Sequence, residues 1–202
     1  MKSESKKEKV LSFDIRRSII LSMYIKEWSM PEYRVILENK RNSVLIEIYY
    51  FPSVSNNSPA RFASIGLSNT LRKTGQPVNA EWMLALEKGL GGESISRIFS
   101  YFSDLISHNI ENIESSEPPR VLGESHLSPE RWTTKAILID ELRGESDSLE
   151  HIKIGEETID VLWVVPINKK ELELISKNGI EVFDDYVNEI SYSIIDPTRP
   201  DQ

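Results

Sequence analysis

The stretch Ile159–Gly179, IDVLWVVPINKKELELISKNG, decides the fold, because it carries a strand, a helix start and a helix stop in one piece. Ile159, Val161, Trp163 and Val165 alternate on one side while Leu162 and Val164 fill the other. A strand apolar on both faces belongs in the middle of a sheet. Pro166 has no N–H to give to a ladder, so the strand is expected to end there. Asn168 stands three residues before Glu171, the spacing of a capping box in which each side chain accepts from the other residue's backbone N–H. Leu172 and Ile175 supply the buried side of the helix. Gly179 marks its end, with Ile180 expected to fold back onto Ile175 as in a Schellman ending.

Working outward, Ile180, Phe183, Tyr186 and Val187 start a second short helix whose outer side shows Glu181, Asp184 and Asp185, and Ile190, Tyr192 and Ile194 alternate as a closing strand. Upstream, a helix is expected over Val10–Trp28. Tyr33, Val35 and Leu37, then Val44, Ile46, Ile48 and Tyr50, read as a hairpin turning at Asn39–Asn42. Strands follow at Arg61–Leu67 and Glu81–Leu86, the second with Trp82, Leu84 and Leu86 on one face. Ile95, Ile98, Phe99, Phe102, Leu105 and Ile106 recur at helical spacing, continuing to Ile110 and Ile113, and predict a long amphipathic helix. Ile113–Pro129 reads as an irregular connection, and Ala136 with Leu138 as another strand. The expected class is α+β: a single domain with a mixed, largely antiparallel sheet packed against the long helix and shorter ones. Residues 1–31 form an N-terminal tail and helix, and residues 32–200 the body of the domain.

Composition bounds the chemistry. The 202 residues are 39% hydrophobic and 28% charged, and contain no cysteine, which excludes disulfides, thiolate zinc sites, iron–sulfur clusters and a cysteine nucleophile. Met1–Lys9 is polar, and no run reaches the roughly 18 apolar residues of a membrane span, so a cytoplasmic protein without membrane association is expected. The net charge of −8 is uneven: residues 1–17 carry +3, residues 18–139 carry −1 and residues 140–202 carry −10. So acidic a final third repels phosphate backbones and argues against nucleic acid, while it attracts a basic protein.

Catalytic constellations are sparse. His108 follows the apolar face of the long helix and reads as a surface residue, and His151 follows the acidic run Glu145–Glu150 on an expected loop. His126 lies near Glu124 and Glu130, which admits a metal-assisted hydrolase as an alternative. Gly66-Leu67-Ser68 lacks the second glycine of a nucleophile elbow and reads as a strand end. Gly89-Leu90-Gly91-Gly92 has neither P-loop nor Rossmann spacing and reads as a strand-to-helix turn. Asp140 with Glu141, and Asp184 with Asp185, are sequence neighbours whose side chains diverge, the pattern of a solvated face. Trp82 and Trp163 alternate with aliphatic residues and read as core. Trp28 and Trp132 lie near element ends, where an exposed indole would anchor a partner.

FASIGLS at Phe62–Ser68, EWMLAL at Glu81–Leu86, LWVVPI at Leu162–Ile167, Glu171-Leu172 with Asn178-Gly179, and DPTR at Asp196–Arg199 resemble, in order and spacing, the suppressor of fused domain family. The likeness covers residues 32–200 and is greatest to the single-domain bacterial members. It implies an α+β fold without established catalytic residues and without a cofactor. Animal members bind a transcription factor by clasping an extended peptide as an added strand, a mode that uses both of their domains. Bacterial members have been proposed as immunity proteins in toxin systems.

The leading expectation is therefore a non-enzymatic protein-binding module, an immunity protein facing a basic toxin domain, with Glu181, Asp184, Asp185 and Trp132 as candidate partner-binding residues. Besides the hydrolase built on His126, the other alternative is a regulatory or scaffolding protein that pairs through a sheet edge, with a second copy of itself among the partners.

Overall fold

The apolar run from Ile159 lies within the longest strand of an eight-stranded sheet. The computed structural model describes residues 6–39, 44–110 and 118–201. In chain order they form α1 (Lys6–Trp28), β1 (Tyr33–Asn39), β2 (Val44–Phe51), β3 (Ala60–Ile65), β4 (Ala80–Leu86), α2 (Ile95–Asn109), β5 (Arg120–Leu122) and β6 (Ala136–Asp140). α3 (Asp147–Glu150), β7 (His151–Ile154), β8 (Glu157–Ile167), α4 (Lys169–Asn178) and α5 (Ile180–Glu189) complete them. The strand order is β1-β2-β3-β4-β8-β6-β5, with β7 pairing the start of β8. Among the described residues, only the β4–β8 pair is parallel. The fold is a single α+β domain with a largely antiparallel sheet, as the pattern predicts.

Period-2 alternation sends each strand's side chains into two separate cores. On one face Ile46, Ile48, Phe62, Trp82, Leu84, Leu86, Leu162 and Val164 pack against Ile98, Phe99, Phe102, Leu105 and Ile106 of α2. On the other, Phe51, Ala63, Ile65, Met83, Val161, Trp163 and Val165 meet Ile20, Tyr24 and Trp28 of α1, Ile175 of α4 and Phe183 of α5. Helices on both faces explain why β4 and β8 are apolar on both sides, and why β8 lies centrally.

β8 continues through Pro166 to Ile167 instead of stopping. β4 pairs with it only as far as Trp163, after which β6 alone accompanies it. The Pro166 carbonyl turns away to accept from Arg199 Nη2 at 2.7 Å, so the missing N–H falls on the side where no strand is paired. Residues 190–195 form no strand, because the carbonyls of Ile194, Ile195, Asp196 and Pro197 are taken by Arg199, Glu87 and Thr133. The connection after α2 is not wholly irregular: β5 pairs with β6 across Val121 and Leu138. The expected helix extension to Ile113 and part of the turn at Asn39–Asn42 lie outside the described residues. Ser94 caps α2 by accepting from the Arg97 N–H at 3.2 Å, and the glycines before it form the expected strand-to-helix turn.

A buried carboxylate ties β3 to β4. Glu81 is fully buried and accepts five hydrogen bonds of 2.6–3.1 Å, from the Ser64 and Ser68 hydroxyls and the N–H groups of Gly66, Leu67 and Ser68. Burial raises its pKa, and the serine hydroxyls and backbone N–H groups oppose that shift in part. To aim consecutive N–H groups at one point the chain turns sharply at Gly66, whose φ is +105°. A Cβ there would stand 2.4 Å from the Leu45 carbonyl oxygen and 2.8 Å from Phe13 Cε2. We expect Gly66→Ala to cost about 2 kcal/mol or more through φ strain and the clash. Gly123→Ala, with nothing within 4 Å of its Cβ, is expected to stay within about 0.5 kcal/mol of wild type. Urea midpoints of the two variants would check the contrast, and equal losses would contradict it.

Candidate functional site

The capping box at the start of α4 forms as its spacing requires: Asn168 Oδ1 accepts from the Glu171 N–H at 2.9 Å, and Glu171 Oε2 accepts from the Asn168 N–H at 2.8 Å. Glu171 has a second role that the spacing did not disclose. It is fully buried and receives the guanidinium of Arg199 in fork geometry, Nε to Oε1 at 2.8 Å and Nη2 to Oε2 at 2.6 Å. The remaining Arg199 donors reach the carbonyls of Ile194, Asp196 and Pro166. All five N–H donors of a side chain only 1% exposed are thus satisfied. The C-terminal segment is strapped across the end of the sheet.

That strap fixes α4, and α4 runs directly into α5. Gly179 joins them with φ +89° and ψ 176°, which is not the left-handed geometry of a Schellman ending; instead the same residue closes α4 and caps α5. Phe183 buries the inner side of α5, while Glu181, Val182 and Asp185 stand exposed on its outer side. Asp184 is half-buried and bound to Arg143. Arg143 also holds Asp140 at 2.6 Å, so one guanidinium bridges the end of β6 to α5. Asp140 is buried and not part of a solvated face; burial raises its pKa and Arg143 pulls it back. Glu141 beside it is exposed, as expected. The i, i+3 spacing of Asp140 and Arg143 was the available signal for this bridge.

The four candidate residues therefore separate. Glu181 and Asp185 share an exposed helix surface and enter no ion pair among the described residues, whereas Asp184 is already partnered. Trp132 is not at the surface: it is 1% exposed, packs edge-to-face on Tyr101 of α2 at 5.1 Å, and belongs to the core on the opposite face of the sheet from α5. Gly91 passes so close that a Cβ there would lie 2.6 Å from Trp132 Nε1, which explains how a tryptophan in an apparent loop becomes core. Trp28 is likewise buried, its Nε1 donating to Glu145 at 2.7 Å, and Arg61 lies over its ring while bonding the same carboxylate.

The histidines do not converge. His126, Glu124 and Glu130 are all exposed, and among the described residues no three His, Asp or Glu side chains gather as a metal-holding set. His108 is exposed, with Nδ1 2.8 Å from the Asp104 carbonyl. His151 lies on β7 and not on a loop, with Nδ1 2.8 Å from Asp160 on β8. Among the described residues, no helix is long and apolar enough to cross a membrane.

Comparison with known proteins agrees with this architecture. The family model described as suppressor of fused protein (SUFU) matches residues 43–200. Among solved structures, a suppressor of fused homolog from Neisseria gonorrhoeae aligns with a TM-score of 0.70 at 13% identity, covering 93% of this chain and 96% of that one. A chain of the Sufu–Fu complex aligns at 0.62 with 15% identity over 87% of this chain and 84% of that one. Drosophila Suppressor of Fused aligns at 0.62 with 14% identity, over 85% of this chain and 45% of that one. No curated protein matches the sequence.

Since Arg199 holds the strap through a fully satisfied buried pair, Arg199→Met should cost about 3–5 kcal/mol by leaving Glu171 uncompensated. The double variant with Glu171→Met should lose less than the sum of the single losses. A thermodynamic cycle from denaturant unfolding would check this, and additive losses would show that the two side chains act independently.

Proposed function

The chain belongs to the suppressor of fused family, and we propose that it is a protein-binding module and not an enzyme: an immunity protein that neutralises a bacterial toxin partner in the cytoplasm. The observation that carries this reading is the outer surface of α5, where Glu181 and Asp185 are exposed on a helix anchored by Phe183 and by the Asp184–Arg143 bridge, within a segment of charge −10. Charges presented in this way attract a basic surface over a distance and orient it on approach. A basic toxin domain fits, and nucleic acid is repelled. The structural likeness to a chain of the Sufu–Fu complex supports binding of a protein partner in general terms. Residues 32–200 would form the binding domain, with α1 completing its second core.

The partner to test is the product of an adjacent toxin-like reading frame. Glu181→Lys with Asp185→Lys reverses exposed charge and leaves the Asp184–Arg143 bridge intact. At low salt the double variant should associate roughly tenfold or more slowly, with the difference shrinking as salt screens the interaction. Stopped-flow binding at several ionic strengths would read this. Equal rates at low salt would remove α5 from the interface, and absence of binding by the wild type would remove the partner.

A further inference from the structure

β1 closes the sheet on one side, and among the described residues no strand pairs with its outer edge. Natural edge strands are usually blunted by charged side chains, a proline, a bulge, shortness or a covering element, and of these β1 has the charges of Arg34 and Glu38. The opposite edge strand, β5, has three residues; β1 has seven, none of them proline. Its side chains are also unusually apolar for an open edge. Tyr33 is 56% exposed and Ile36 51% exposed. Three residues apart on a strand, they point to opposite faces of the sheet.

Within the strand sequence, Tyr33-Arg34-Val35-Ile36-Leu37-Glu38-Asn39, the inner five residues are complementary to their own reverse about Ile36. An antiparallel copy centred there sets Arg34 opposite Glu38, Val35 opposite Leu37 and Ile36 opposite Ile36. Moving the centre by one residue in either direction sets Ile36 opposite Arg34 or Glu38, so the complementarity is specific to one register. Arg34 is already steadied at the edge by Glu47, 3.2 Å away on β2, while 43% of its side chain remains exposed.

We propose that a second copy of this chain pairs along β1, antiparallel, with the two-fold axis through Ile36, joining two sheets into one. A single strand pair is small beside the roughly 1,200–2,000 Å² of standard interfaces, so the dimer forms reversibly and depends on concentration.

Sedimentation velocity of the full chain, from dilute to concentrated solution, tests this. The wild type should move from monomer to twice the monomer mass. Ile36→Lys and Ile36→Asp, each placing like charges against each other across the axis, should each remain monomeric with an unchanged melting temperature. An equimolar mixture of the two variants should recover the dimer, since opposite charges then meet. A wild type that stays monomeric throughout, a dimer that persists in either variant, or a mixture that fails to recover it would overturn the proposal.

Discussion

A carboxylate withdrawn from water needs donors, and Glu81 obtains all of its donors from one turn and the strand before it. Both oxygens accept a backbone N–H and a serine hydroxyl, so the turn at Gly66–Ser68 is shaped around the acid. The consequence reaches beyond the turn. Ser64 Oγ also accepts from the Trp82 N–H at 2.9 Å, so β3 and β4 remain joined past Ala63 and Met83, where their ladder register ends. Tyr24 of α1 donates to the Ser64 carbonyl at 3.3 Å, bringing the helix layer to the same point. The joining of β3 to β4 and the seat of α1 beside them converge on Glu81 and its partner Ser64.

Arg199 plays the corresponding part at the other end of the chain. The short motifs by which the sequence resembles its family are far apart, yet in space they meet in pairs. The glutamate that opens EWMLAL is enclosed by FASIGLS, and the glutamate that caps α4 is enclosed by the arginine of DPTR. Each pair joins a carboxylate on one element to donors on another. Motifs far apart in the sequence are thus joined by tertiary contacts in this chain, although each is short and mostly apolar.

What was legible in the sequence follows from the range of the interactions involved. The alternation in β8, the stripe of α2 and the capping box of α4 are set by neighbours within a few residues, and all three formed as their spacing predicts. The failures are cases in which a distant group prevailed. Pro166 stays in its strand because β4 is paired only as far as Trp163. The alternating Ile190, Tyr192 and Ile194 form no strand because Arg199 and its neighbours organise that backbone as a strap. Trp132 appeared available to a partner because nothing local predicts the closeness of Gly91 and Tyr101. At the candidate site, the acidic outer side of α5 was visible as a helical pattern. The engagement of Asp184 by Arg143, 41 residues away in sequence, was not.

The parallel pairing of β4 with β8 has a consequence for how the molecule is made. β4 ends at Leu86 and its partner begins at Glu157, so a growing polypeptide leaving the ribosome exposes the unpaired edge of this mostly apolar strand for several seconds at ordinary translation speeds of about 5–20 residues per second. Until the late strand arrives, that margin is open to the wrong neighbour, and closing so long a crossover is slow in any case. The hazard during biosynthesis lies at β4, which the finished protein hides completely, and chaperone dependence would be governed by a surface that the native state never displays.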